Sequence, residues 1–452
     1  MEPKPITLIV GDLHMGDGQT GDDFVGGKQF VQFLSKEAAS PGGLDGKFEL
    51  IINGDFLEFV QVYPQGYGLD PPDFWCTEEE SVVKLEYMLR GHADVFTALK
   101  DFQRTGNRVT LFAGNHDVDL YWPAVQARIR ECAGEVNFEL GDVWYQRYRG
   151  RLRISHGHLF TSIDPANNFK AWKDPCLPQP NDALPRRLEM CPGTLFVVRF
   201  VNLLEAKYPF ADNLHPELAL ANILWRENRW GLKVVGWMLA KFAAKFPNVI
   251  LSSDAAAVKD VGKLLLDAVK VNPRLQEDIA SLYREVLGES GMTADQVPDR
   301  LSSENAIAAF VERLLQSDVD WNKWLAVLDR AKPAVLGTSG GTLQIGKAAQ
   351  IDVKQKCIEV ARNAWRDGAQ VVVFGHTHLP QDYEEGEGTQ HYYNPGSWTR
   401  YVDAAKTGTL TLKDLEREDR FPFELNCVRI EDTGSDMLKS ELVCIDKRVF
   451  ER

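Results

Sequence analysis

Four short apolar runs in this chain stop at the same kind of punctuation, and that recurrence constrains the fold more than any other feature of the sequence. Ile6 to Val10 stops at Gly11-Asp12, Leu50 to Ile52 at Asn53-Gly54-Asp55, Val109 to Ala113 at Gly114-Asn115, and Val371 to Phe374 at Gly375-His376. Each run has strand length, and the Gly with Asp, Asn or His beyond it marks a turn. Helical periodicity fills the gaps between the first three runs, over Gly27 to Ser40 and over Glu78 to Arg104. Thr77 offers an N-cap to the second helix, with Glu80 three residues later. Strand, helix, strand in alternation predicts an α/β protein.

After Val109 consecutive strands follow, Val143 to Tyr148 and Leu152 to Ser155 about a Gly150 turn, so a second sheet is expected. From about Pro165 the texture changes to Pro- and Trp-containing loops and helical periodicities over Ala219 to Phe246, Val258 to Val271, Leu275 to Leu287, Asn305 to Leu315 and Trp321 to Ala331. The alternating pattern resumes with a helix over Val353 to Arg366 feeding the strand Val371 to Phe374. Further strands are expected around His391 to Tyr393, Leu410 to Leu412, Phe423 to Val428 and Leu442 to Ile445. At 452 residues the chain exceeds one ordinary core. The reading is a core formed by residues 1–165 and 351–452, interrupted by a large helical insertion over residues 166–350.

Charge and cysteine usage bound the partners. The formal charge is −14, and a field of that sign repels phosphate backbones, so general nucleic-acid binding is not expected. The balance is uneven: 15 basic residues face 25 acidic ones over residues 1–165, whereas residues 166–250 hold 11 basic against 7 acidic. Seven cysteines without a CxxC pair argue against a disulfide framework or a thiolate zinc site. With no export signal and no apolar stretch of spanning length, a cytoplasmic protein is expected.

Histidine placement carries the chemistry. Six of the nine histidines fall in short motifs that follow strands: Gly11-Asp12-Leu13-His14, Gly114-Asn115-His116-Asp117, His156-Gly157-His158 and Gly375-His376-Thr377-His378, with Gly54-Asp55-Phe56-Leu57-Glu58 as the fifth motif of the set. The carboxyl ends of adjacent strands in an α/β sheet converge on one crevice, so these residues can meet although distant in sequence. Carboxylate, amide and imidazole together make a metal site, with too many donors for one ion. Mixed nitrogen and oxygen ligation favours Mn, Fe, Zn or Co over Ca or Mg. Two divalent transition-metal ions are expected, Mn foremost, and Asp55 on the central strand is the natural bridge because its two oxygens can face two cations.

The five motifs, in this order, resemble the calcineurin-like metallophosphoesterase superfamily. The resemblance implies a four-layer α/β/β/α sandwich with the insertion as a helical cap. It assigns Asp12, His14, Asp55 and His378 to one metal and Asp55, Asn115, His156 and His376 to the other. His116 is left to act on the phosphoryl oxygen or leaving group, with Asp117 beside it either orienting its ring or serving as a turn acceptor; His158 is an outer, a substrate-facing or a merely structural residue. The implied activity is phosphoric ester hydrolysis, two cations lowering the pKa of a bridging water that attacks phosphorus in line.

Gly54-Asp55-Phe56-Leu57-Glu58-Phe59, Gly375-His376-Thr377-His378-Leu379-Pro380 and Asn394-Pro395-Gly396-Ser397-Trp398 are further similar to the bacterial branch containing UDP-2,3-diacylglucosamine hydrolase. That branch would imply pyrophosphate hydrolysis on a nucleotide-linked lipid or sugar. The sequence departs from it at His116, where Arg is usual, and in the size of the insertion.

The substrate class is thus a phosphorylated small molecule or a lipid-like one. A third reading, from another class, is a non-catalytic scaffold on the same fold. Lys233, Lys241 and Lys245 among Trp237, Phe242 and Phe246 could serve a bilayer surface, although an amphipathic cap helix is favoured; Leu195 to Leu204, with Arg199, reads the same way. Trp225, Trp230, Trp321 and Trp324 are read as cap core.

Overall fold

The structure is a computed structural model and describes residues 4–19, 21–63, 76–141, 143–160, 273–285, 287–303, 347–403 and 410–448, with shorter pieces of 162–223 and residues 270 and 306. Of the expected insertion helices, Leu275 to Leu287 is seen as a helix over Pro273–Glu285. The segments Ala219 to Phe246, Val258 to Val271, Asn305 to Leu315 and Trp321 to Ala331, with the lysines and tryptophans named above, lie wholly or almost wholly outside the described residues.

The chain is mixed α/β with two mixed sheets. Strands β1 (Ile6–Val10), β2 (Phe48–Ile52), β3 (Arg108–Phe112), β4 (Val136–Glu139), β5 (Tyr145–Arg147), β6 (Leu152–Ile154), β7 (Val371–Val373), β8 (Gln381–Glu385), β9 (Gln390–Asn394), β10 (Phe423–Glu431) and β11 (Lys439–Arg448) build them. The six-stranded sheet runs in the order β11-β10-β1-β2-β3-β4 and the five-stranded sheet in the order β5-β6-β7-β9-β8. In the first, β1 to β4 pair in parallel while β10 lies antiparallel to β1. In the second, β7 is parallel to both β6 and β9.

Period-two alternation sorts the core. Leu8 and Val10 pack with Phe30, Leu34, Leu85, Met88 and Leu99 of the helices Gly27–Ala39, Glu78–Gly91 and Ala93–Phe102. Ile9 points the other way and joins Ile51, Phe112, Ile154, Val371 and Val373 in a cluster drawn from both sheets. Val372 and Tyr392 face a third cluster with Ile358, Ala361 and Trp365 of the helix Lys347–Arg366.

Several elements differ from the sequence reading. The helical pattern over Glu78 to Arg104 is broken at His92, where φ −128 ends the first helix. A side chain at Gly91 would strike the backbone of Asp17 and Gly18, and His92 Nε2 meets Asp22 Oδ2 at 2.8 Å. Tertiary contact with the loop after His14 therefore sets the break. Leu410 to Leu412 is not a strand but leads into a turn in which Thr411 and Asp414 cap each other. The helix Pro123–Ala133 and strand β4 were not read from the sequence at all.

By packing, the chain divides into two units: Met1–Asn213 with Asp352–Val402 and Leu415–Arg452, and Leu214–Ile351 with Asp403–Asp414. In the second, the helix Pro273–Glu285 buries Leu275, Ile279, Leu282 and Tyr283 along one face, the three-and-four spacing of an amphipathic helix.

Candidate metal centre

The motif residues gather in the first unit, at the carboxyl ends of β1, β2, β3, β6 and β7. Beyond β1 and β2 the two loops run side by side, with Asp12 N donating to Gly54 O at 3.1 Å and His14 N to Asp55 O at 2.9 Å. The backbone there is strained. Among the described residues, eight non-glycine residues have positive φ, and five of them are Asp12, His14, Asp55, His376 and His378. Such conformations cost about 1–3 kcal/mol each and persist where surroundings over-determine them, typically at functional sites. Glycine permits the approach of neighbours: a Cβ on Gly114 would overlap Asp55 Oδ1, and one on Gly54, at φ 81, would enter the His156 ring.

Among the described residues three groups of donors result, two of which share a carboxylate. Asp12, His14, Asp55 and His378 form one and Asp55, His156 and His376 the other, and each could hold a metal ion. Asn115 stands with the second, its Oδ1 3.3 Å from His156 Nε2. Asp55 belongs to both. Two ligands of one cation, with bonds of about 2.1 Å, stand about 3.0 Å apart in an octahedron and about 3.4 Å in a tetrahedron. The observed separations match that scale: His14 Nε2 to His378 Nε2 3.0 Å, His378 Nε2 to Asp12 Oδ1 3.5 Å, His14 Nε2 to Asp55 Oδ2 3.7 Å and His156 Nε2 to Asp55 Oδ2 3.1 Å.

The outer contacts suit the same purpose. His156 Nδ1 donates to the carbonyl of Asn53 at 2.7 Å, which turns Nε2 toward Oδ2 of Asp55 and Oδ1 of Asn115. A proton or a cation can sit at that point, and a backbone carbonyl behind a histidine is a common arrangement in metal sites. Asp12 Oδ2 is buried without a hydrogen-bond partner, as an oxygen kept for a cation would be. The residues present could therefore hold metal ions.

Electrostatics among these side chains show the same demand for positive charge. Burial opposes ionisation of Asp55, yet the imidazoles of His156, His116 and His14 outweigh it and hold the carboxyl well below its usual range. Burial also opposes charge on His156, but Asp55 and Asp12 lift its pKa to about 9. Asp12, with burial and Asp55 against it, is pushed up to about 6.

Glu58, the last residue of the second motif, has no role in the sequence reading. It is buried, and its Oε2 accepts from Nδ1 of His14 at 2.7 Å and from Nδ1 of His116 at 2.8 Å. His14, Glu58 and His116 form a third group of donors, and their 2.7–2.8 Å contacts are also of hydrogen-bond length. Its position three residues beyond Asp55 was the available signal. Asp117, expected to orient His116, does otherwise: its oxygens accept from the amides of Gly114 at 2.6 Å and Phe56 at 2.8 Å. The ring is held by Glu58 instead. Burial, with Asp55 nearby, lifts the pKa of Asp117 to about 7. His158 is buried against the rings of His156 and His376, at 5.1 and 6.1 Å.

Because an outer partner is typically worth 10- to 100-fold in metal affinity, Glu58→Gln is expected to weaken Mn binding by about that factor in a metal titration. Unchanged affinity would limit Glu58 to His116.

Compared with known proteins, the chain matches no family model and no curated protein. Among the described residues no helix is long and apolar enough to cross a membrane.

Proposed function

We propose that this chain is a metal-dependent phosphoric ester hydrolase of the calcineurin-like metallophosphoesterase type, built on a four-layer α/β/β/α sandwich. The layering is supported by the apolar clusters, one joining the two sheets and one joining each sheet to helices. One observation carries the activity: a single buried carboxylate, Asp55, is shared by two groups of metal-capable donors. Asp12, His14 and His378 would hold one ion with it, and Asn115, His156 and His376 the other. When bound, two divalent ions supply water activation and neutralisation of phosphoryl charge.

The chain's own residues supply the rest. Glu58 occupies Nδ1 of His116, so Nε2 is the atom that exchanges a proton with a leaving-group oxygen. Asp117 locks the backbone of the two loops that carry Asp55 and Asn115, which keeps those ligands in register with each other.

The test is metal content beside activity. Purified protein is expected to carry a divalent transition metal and to hydrolyse p-nitrophenyl or bis-p-nitrophenyl phosphate with Mn; EDTA should remove the activity and Mn restore it. Protein that binds no metal and is inert toward both esters would be a scaffold on this fold.

A further inference from the structure

Three buried polar residues downstream of the fourth motif have had no part in the chemistry so far. Thr194, Asn202 and Asn213 are 1%, 8% and 5% exposed, and a polar group taken that far from water needs a partner. Each finds it on a different loop of the metal centre. The Thr194 hydroxyl donates to the backbone carbonyl of Asn115 at 3.2 Å. Asn202 Nδ2 donates to the carbonyl of Val60 at 3.0 Å, and the amide of Val60 in turn donates to Glu58 Oε1 at 3.1 Å. Asn213 Nδ2 donates to Asp23 Oδ1 at 2.8 Å; the neighbouring Asp22 gathers the amides of Gly16 and Gly18 just beyond His14.

The chain that carries these residues is itself anchored. Leu188 and Cys191 belong to the main apolar cluster of the first unit, Leu188 N donates to Cys76 O at 3.3 Å, and Glu205 accepts from Gln61 Nε2 at 2.9 and 3.0 Å. Two of the three loops, those after β1 and β2, hold Asp12, His14 and Asp55 in left-handed backbone, a state that lasts only where surrounding contacts enforce it.

We propose that Thr194, Asn202 and Asn213 are positioning residues of the metal centre, each fixing one ligand-bearing loop through a buried hydrogen bond. The proposal rests on the metal reading above and extends the centre to a stretch of chain outside all five motifs. The expectation is local. Loss of one hydrogen bond loosens its own loop and spreads the donor atoms from the spacing a cation needs.

The test uses full-length protein. Thr194→Val keeps shape and removes the hydroxyl, while Thr194→Ser keeps the hydroxyl; Asn202→Ala and Asn213→Ala remove the other donors. Bound Mn after equilibrium dialysis gives affinity, and amide hydrogen exchange in EDTA gives loop stability without metal. Thr194→Val is expected to weaken Mn binding about tenfold and to speed exchange around Asn115, with Thr194→Ser near wild type. Asn202→Ala should act around residues 55–61 and Asn213→Ala around residues 12–24. Unchanged affinity and exchange in all variants would overturn the proposal, and so would faster exchange spread evenly over the sheets. Should wild type take up no metal, the metal reading fails by itself. The exchange pattern then decides the positioning role alone: acceleration confined to the partner loop upholds it, and any other pattern overturns it.

Discussion

Asp55→Asn is expected to empty both metal groups and to lower turnover well beyond the 10- to 100-fold typical of an outer partner. The substitution preserves volume where volume is critical, since Asp55 Oδ1 lies where a Cβ on Gly114 would be, so the loop can still close. What it removes is charge. Asp55 Oδ2 stands 3.1 Å from His156 Nε2 and 3.7 Å from His14 Nε2, one donor from each group, and no other described residue belongs to both. A neutral amide there neither offsets two cations nor offers each an anionic oxygen, and its NH₂ can point the wrong atom at one of them. The sheets should remain intact because the apolar clusters that hold them are distant in kind from this change, built of side chains such as Ile9, Ile51, Val371 and Ile430. Metal analysis of the purified variant beside far-ultraviolet circular dichroism checks the expectation. A folded variant with wild-type metal content would remove Asp55 from the shared position.

The gathering of Asp12, His14, Asp55, Asn115, His156, His376 and His378 was legible because strand ends are local signals. An apolar run stopped by Gly-Asp, Gly-Asn or Gly-His announces both the end of a strand and the residue beyond it, and parallel strands bring those ends together whatever their separation in sequence. Features set by contacts between distant segments were not legible. The break at His92 depends on the approach of Asp17 and Gly18 to Gly91. Strand β4 is short and only one of its residues is buried, so it has no alternation to read. Thr411 caps a turn where Leu410 and Leu412 suggest a strand. The exchange of roles between Glu58 and Asp117 is of the same kind. Both lie close to His116 along the chain or across the site, and only the path of the loop after β3, pinned by Asp117 onto Gly114 and Phe56, decides which carboxylate the ring meets.

That exchange shapes the expectation for His116→Ala, which is a loss of turnover by about 10² to 10⁴ with most of the metal retained. The His116 ring meets Glu58 at 2.8 and 3.0 Å and belongs to neither of the two groups that share Asp55, so it is taken to lie outside their ligand set. Glu58 is held at a pKa of about 2, burial working against it and the imidazoles of His116 and His14 prevailing. It therefore remains a carboxylate through the working range, able to stabilise positive charge on a ring that takes up a proton. Alanine removes that proton donor and leaves Glu58 its contact with His14 at 2.7 Å, so the ligand histidine keeps its orientation. The effect should consequently fall on kcat more than on KM, and one limb of the pH–rate profile should flatten. Loss of metal equal to that of Asp55→Asn would instead place His116 among the ligands, with Glu58 beside it as in the third group of donors.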